Sequence, residues 1–169
     1  MLDKPILGLT SDKHVFGLGI NQLMFIVRST MCVVNSVLAL DRNQTGVMFC
    51  VADLDTGAPL FKCVLGTLTV AEIKEYTTFA LEKAERLAGH PEHVASSQSR
   101  NVILEPRKYG GAVRGKDYLY SFSGFTEDED EAAGLALLIM WYMRDLPEKF
   151  RPIAADNLFF KTLKSHLGL

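Results

Sequence analysis

Cysteine is scarce in this 169-residue chain. There are three, Cys32, Cys50 and Cys63, an odd number separated by 18 and 13 residues. Neither a disulfide framework nor a zinc pattern has that spacing. Each lies in an apolar run, so all three read as small buried core residues, and a reducing, cytoplasmic setting fits them. Net charge is nearly absent too: 18 basic against 20 acidic side chains leave −2. That balance gives no general attraction to nucleic acid or anionic lipid, and no nucleic-acid partner is expected. Nucleotide fingerprints are missing, because neither Gly17-x-Gly19 nor Gly110-Gly111 completes G-x-G-x-x-G or G-x-x-x-x-G-K-[ST]. No G-x-S-x-G elbow occurs either. Residues 1–10 carry an acid and a proline where a basic region and an apolar run would mark a secretory leader, so none is expected.

What is present is ordinary globular material, 48% hydrophobic and 22% charged. A chain of this length suits one domain with a sizeable core, over residues 1–169. Residues 15–40 are apolar enough to raise the membrane question, but they contain Asn21, Gln22, Arg28 and Asn35. A mid-span arginine costs a few kcal/mol on insertion, so a buried helix is expected and no membrane span. Ile20, Leu23, Met24, Val27, Met31, Val34 and Leu38 follow steps of three and four, which predicts that helix and its buried stripe.

Two apolar runs, 47–54 and 59–65, flank Asp55-Thr56-Gly57 and predict an antiparallel hairpin. Thr69 and Glu72 have capping-box spacing, and the helix after them has one apolar stripe (Ile73, Tyr76, Thr77, Ala80, Leu81, Ala84, Leu87), stopped by Gly89 and Pro91. Residues 90–100 read as a loop, and 102–104 as a short strand or extended segment. A second hairpin is expected over 112–123, turning at Gly115-Lys116-Asp117, with Tyr118, Tyr120 and Phe122 on one face. Thr126 and Glu129 form a second capping box, and the five acids from Glu127 to Glu131 suit a helix start. Residues 132–143 are almost wholly apolar, so that helix must be covered by the sheet and by another element or subunit. Pro147 and Pro152 bracket a connector before a terminal helix at 154–167. The order predicts an α+β fold, an antiparallel sheet of about five strands flanked by helices.

Candidate sites are few. Gly110-Gly111 is a turn, or a place where backbone donors approach a ligand. Arg107, Lys108 and Tyr109 with Arg114 form a compact basic cluster that suits a small ligand bearing carboxylate or phosphate, with a solvated loop as the alternative. His90-Pro-Glu-His93 resembles a metal spacing superficially, but the proline keeps it off a helix, and no metal site is expected there. The acid run, which would suit a cation, is better explained as a helix start.

Two segments resemble the haem-degrading/haem-binding domain family, which includes glycolate-operon accessory proteins and the C-terminal domain of propanediol-utilisation adenosyltransferases. Residues 51–60, VADLDTGAPL, lead through Thr69 to a helix with Lys74 and Tyr76-Thr77. They are similar to that family's strand, Asp-x-Gly turn, strand and AxxKAxTA helix. Gly110-Gly111, Gly115-Lys116-Asp117, Ser123-Gly124 and the 129–132 helix start resemble its closing motifs. This chain has Ala112-Val113 where the family has x-Pro, an aromatic strand before Ser-Gly, and no family counterpart for 144–169.

The resemblance covers residues 18–143 and implies a profilin-like α-β-α layering, self-association into a homo-oligomer, and a groove near the Gly-Gly turn that haem sometimes occupies. No histidine here maps onto a family ligand position. The resulting expectation is a small-ligand binding or accessory protein, not clearly catalytic, contacting its ligand through Arg107, Tyr109, Gly110, Gly111, Arg114 and Ser123. The alternatives are a haem-handling enzyme using the same groove and a non-enzymatic interaction module.

Overall fold

The computed structural model describes residues 14–15, 18–100, 103–104, 108–142 and 146–169. A two-residue antiparallel pair, β1 (His14–Val15) and β2 (Leu18–Gly19), runs into α1 (Ile20–Leu40). The first hairpin follows, β3 (Gly46–Asp53) and β4 (Pro59–Gly66), then α2 (Val70–Ala88). A 3-10 turn at Ser96–Ser99 precedes the second hairpin, β5 (Ala112–Arg114) and β6 (Tyr118–Ser123). The chain closes with α3 (Glu127–Tyr142), a 3-10 turn at Glu148–Phe150, α4 (Arg151–Asp156) and α5 (Leu158–Leu167). The class is α+β, as the sequence implies.

The main sheet is antiparallel, four-stranded and open, in the order β4-β3-β6-β5, against the about five strands expected. Of the extra segment read at 102–104, Ile103 and Leu104 lie in a turn and Val102 is outside the described residues. The loop at 90–100 instead touches the β5 edge through an isolated bridge, Ala95 to Val113.

Both predicted hairpins form, for the reasons their turns supply. In the first, Asp53 Oδ1 accepts from the Thr56 amide (2.9 Å) and hydroxyl (2.7 Å), and Gly57 takes the positive φ of 71° that closes the turn. Thr69 and Glu72 make the full reciprocal capping box of α2.

The period-two alternation of β3 sends successive side chains to opposite layers. Val47, Phe49 and Val51 join Tyr120, Phe122, α1, α3 and the buried residues of α5 in one apolar cluster. Met48, Cys50 and Ala52 join Leu119, Ala112 and the small residues Ala80, Ala84 and Ala88 of α2 in another. The covering that α3 demands is supplied within the chain, by the sheet, α1 and α5.

Several expectations shift. The buried stripe of α1 is Leu23, Ile26, Ser29, Thr30, Val33, Val34 and Val37, whereas Met31 is 48% exposed. The helix is apolar on two faces, so spacing alone left its rotation open; Thr30 is accommodated by donating its hydroxyl to Ile26 O (2.7 Å). By length and composition α1 could cross a membrane; here its apolar stripe is in the core. Cys32 is exposed on α1, not buried; Cys50 is buried and Cys63 half-buried, and all three are free thiols. Pro152 does not end a connector but stands in the first turn of α4, where its missing N–H costs nothing. The terminal helix begins at Leu158 because the Asn157 side chain caps it, accepting from Phe160 N (2.8 Å). It buries Phe160 and Leu163 and leaves Leu158 exposed.

Candidate functional site

The feature the sequence reading missed is a charged pair inside the fold. Lys83 Nζ and Asp130 Oδ2 are 2.8 Å apart, and both side chains are 2% exposed. Position 83 falls three residues after Ala80 and four before Leu87, on the buried side of α2, which is the signal that could have found it. The ammonium also donates to Phe122 O (2.8 Å), while Asp130 Oδ1 accepts from Phe125 N (3.2 Å). Burial pushes the Asp130 carboxyl up to about 6, against the downward pull of Lys83.

The acid run that starts α3 is therefore more than a helix-dipole preference. Glu129 caps, accepting from the Thr126 amide (2.9 Å) and hydroxyl (2.8 Å). Glu127 accepts from Gly110 N (2.7 Å) and pairs with Arg100. Glu131 accepts from the Ser97 hydroxyl, and burial raises its carboxyl. One helix terminus thus ties down two loops as well as α2.

The Gly-Gly turn is built around this cluster. Gly111 has a φ of 117°, and a Cβ there would stand 2.6 Å from Asp130 Cβ and 2.9 Å from Lys83 Nζ. Glycine is required on both counts. Gly110 N is spent on Glu127, and Gly111 O accepts from Phe122 N (2.9 Å). Tyr109 is anchored through its carbonyl by Arg86 (2.6 Å) and through its ring by an edge contact with Phe79, centroids 5.7 Å apart.

Of the six residues named from the sequence, the structure brings four together: Tyr109, Gly110, Gly111 and Ser123. Arg107 lies outside the described residues. Arg114 points elsewhere. Its guanidinium donates to the carbonyls of His93 (2.9 Å), His90 (3.2 Å), Leu54 (3.3 Å) and Leu87, closing the C-terminal end of α2. Arg114 therefore does not join a basic cluster around this turn.

A cleft of about 200 Å³ opens over the pair. Its walls are Tyr76, Phe79, Tyr109 and Phe125, and its polar surface comes from Lys83, Ser123, Thr126, Glu127 and Asp130. The formal charges cancel locally, Lys83 against Asp130 and Arg100 against Glu127. Pockets for drug-sized ligands and cofactors run to about 300–1,000 Å³, so this one suits something smaller.

Among the described residues no His, Cys or Met lines the cleft, so that lining offers a haem iron none of these ligands. Burial, with Glu72, Glu75 and Asp130 adding to it, holds the Tyr76 phenol above its ordinary value.

A scan against protein-family models gives no match, and no curated protein matches the chain. Among solved structures it is similar to the crystal structure of Klebsiella pneumoniae protein ORFY, a DUF336 protein, at 16% identity and a TM-score of 0.48, over 69% of this chain and 88% of that one. That likeness is too distant to carry an activity across.

Proposed function

We propose that this chain is a small-molecule binding or accessory protein whose site is the cleft above Lys83 and Asp130. The family-like motifs within residues 18–143 support a profilin-like, haem-binding-like fold in one domain, with the groove beside the Gly-Gly turn put to a different use from haem. The observation that carries the reading is a fully buried, internally neutralised ion pair under a ring of aromatic side chains. Buried charge in a structural core is costly, and such pairs cluster where ligands bind.

The ligand this cleft fits is small, uncharged and flat, with a hydrogen-bond acceptor. Aromatic walls take the flat body. Lys83, which lines the cleft, donates to Asp130 and Phe122 O, and an ammonium carries one donor more than these two bonds use. No nucleophile–base–orienter set accompanies these groups among the described residues, so binding rather than turnover is the reading.

The test pairs calorimetric titration of neutral aromatic amides, benzamide first, with a haemin titration followed by visible spectroscopy. Saturable binding of at least one amide, lost in Ser123→Leu, which fills the cleft, and no Soret shift at micromolar haemin are expected. Unchanged amide binding by Ser123→Leu, or a saturable Soret shift, contradicts the proposal.

A further inference from the structure

The segment between α2 and β5 carries a second arrangement, unrelated to the cleft. His90, Glu92 and His93 bring one ligand atom each to within 4.8 Å of one another. Pro91 keeps these residues off a helix, and the chain forms a turn instead. His93 N donates to His90 O (2.9 Å), so residues 90–93 form a reverse turn with proline at the position its fixed φ suits. A turn brings its first and fourth residues together much as one helical turn does, and the two imidazoles stack with centroids 4.8 Å apart.

Two of the three donor separations match a coordination shell, and the third, within 4.8 Å, closes on one ion when the imidazoles turn out of their stack. Glu92 Oε1 is 3.2 Å from His90 Nδ1 and 3.5 Å from His93 Nε2. Two ligand atoms bound to one tetrahedral zinc at about 2.0–2.2 Å stand ~3.3–3.6 Å apart, the edge of the tetrahedron. The turn is also held from behind. The Arg114 guanidinium donates to the carbonyls of both His90 and His93, and the Arg114 amide donates to Val94 O (2.8 Å). Loop donors rarely come preorganised; these are fixed to a sheet edge.

We infer that His90, Glu92 and His93 form a three-ligand site for a divalent first-row transition ion of the zinc class, with the remaining coordination positions open to water. Two imidazoles and one carboxylate are the donor set for such ions rather than for calcium or magnesium, which take oxygen ligands. The site lies past the end of α2, about two turns beyond Lys83, so it does not depend on the cleft.

Isothermal titration of the full chain with Zn²⁺ tests this. His90 and Glu92 side chains are 45% and 63% exposed, so His90→Ala and Glu92→Gln leave the fold intact, which circular dichroism checks. Wild type is expected to bind one Zn²⁺ per chain, and each variant to bind at least about tenfold more weakly, since even outer-shell partners of a metal carry that much. Any Zn²⁺ held by the exposed Cys32 thiol survives both substitutions and is thereby separated from this site. No Zn²⁺ binding by wild type, or wild-type affinity in either variant, overturns the inference.

Discussion

On the α1/α3 side of the sheet, Phe49, Tyr120 and Phe122 share a cluster with Leu135, Leu137 and Leu138. On the α2 side the partners are Met48, Cys50 and Ala52 against Ala80, Ala84 and Ala88. One layer is thick and apolar. The other is thin enough that a Cβ on Gly57 would stand 2.6 Å from Glu85 Cα, and a charged pair closes its end. Small residues bring the α2 backbone close to the sheet, and the long Lys83 side chain ends at a strand carbonyl, Phe122 O. The thick side holds the fold. The thin side holds the only buried ammonium–carboxylate pair among the described residues, and that pair faces a cleft. Burial pushes the Asp130 carboxyl up to about 6 against the attraction of Lys83, and a buried pair of this kind is weak evidence for stabilisation.

Removing one charge should break the thin side hardest. Lys83→Met leaves Asp130 buried without its counter-charge and is expected to cost about 3–5 kcal/mol in urea denaturation. The double variant Lys83→Met/Asp130→Leu should return to wild-type stability or exceed it, because an apolar pair carries no desolvation cost. The thick side should fail by cavity formation, with Leu135→Ala losing about 2–5 kcal/mol. On the thin side added volume is the damaging change, and Ala84→Leu should cost about 1–3 kcal/mol where a leucine on the thick side is native.

A smaller effect is a pH slope. Folding moves the Asp130 carboxyl from 3.8 to about 6, so between those values the folded chain holds a proton that the unfolded chain has released. Stability therefore falls as pH rises through that window, by at most ~1.4 kcal/mol per pH unit, and levels off above it. Glu131, also raised by burial, tilts stability the same way, so the contribution of Asp130 is read as the slope lost in Lys83→Met/Asp130→Leu.

Much of the thin side was legible along the chain, and its defining pair was not. Turn chemistry located both hairpins, because Asp55-Thr56-Gly57 and Gly115-Lys116-Asp117 act locally. The Thr69 and Glu72 cap is equally local. Gly111 was singled out for its conformational freedom, but the need for it comes from Asp130 and Lys83, 19 and 28 positions away in sequence. Lys83 is absent from the apolar stripe read along that helix, because lysine is usually exposed, although its position between Ala80 and Leu87 argues for burial. Arg114 sits three residues after Gly111 and still turns away, since antiparallel pairing and the end of α2 decide where its side chain goes. On the thick side, α1 was recognised as a helix while its rotation was not, because apolar residues on two faces leave the choice to α3 and the sheet.

We propose that the ion pair serves binding rather than stability. It is tested most directly by two-dimensional NMR of the ¹⁵N-labelled chain with benzamide and related neutral amides, in wild type and in Lys83→Met/Asp130→Leu. Shifts are expected at the amides of Gly110, Gly111, Ser123, Gly124 and Phe125 in wild type, and none in the double variant despite its equal or greater stability. Equal shifts in both proteins, or shifts gathered around α4 and α5 instead, would contradict it.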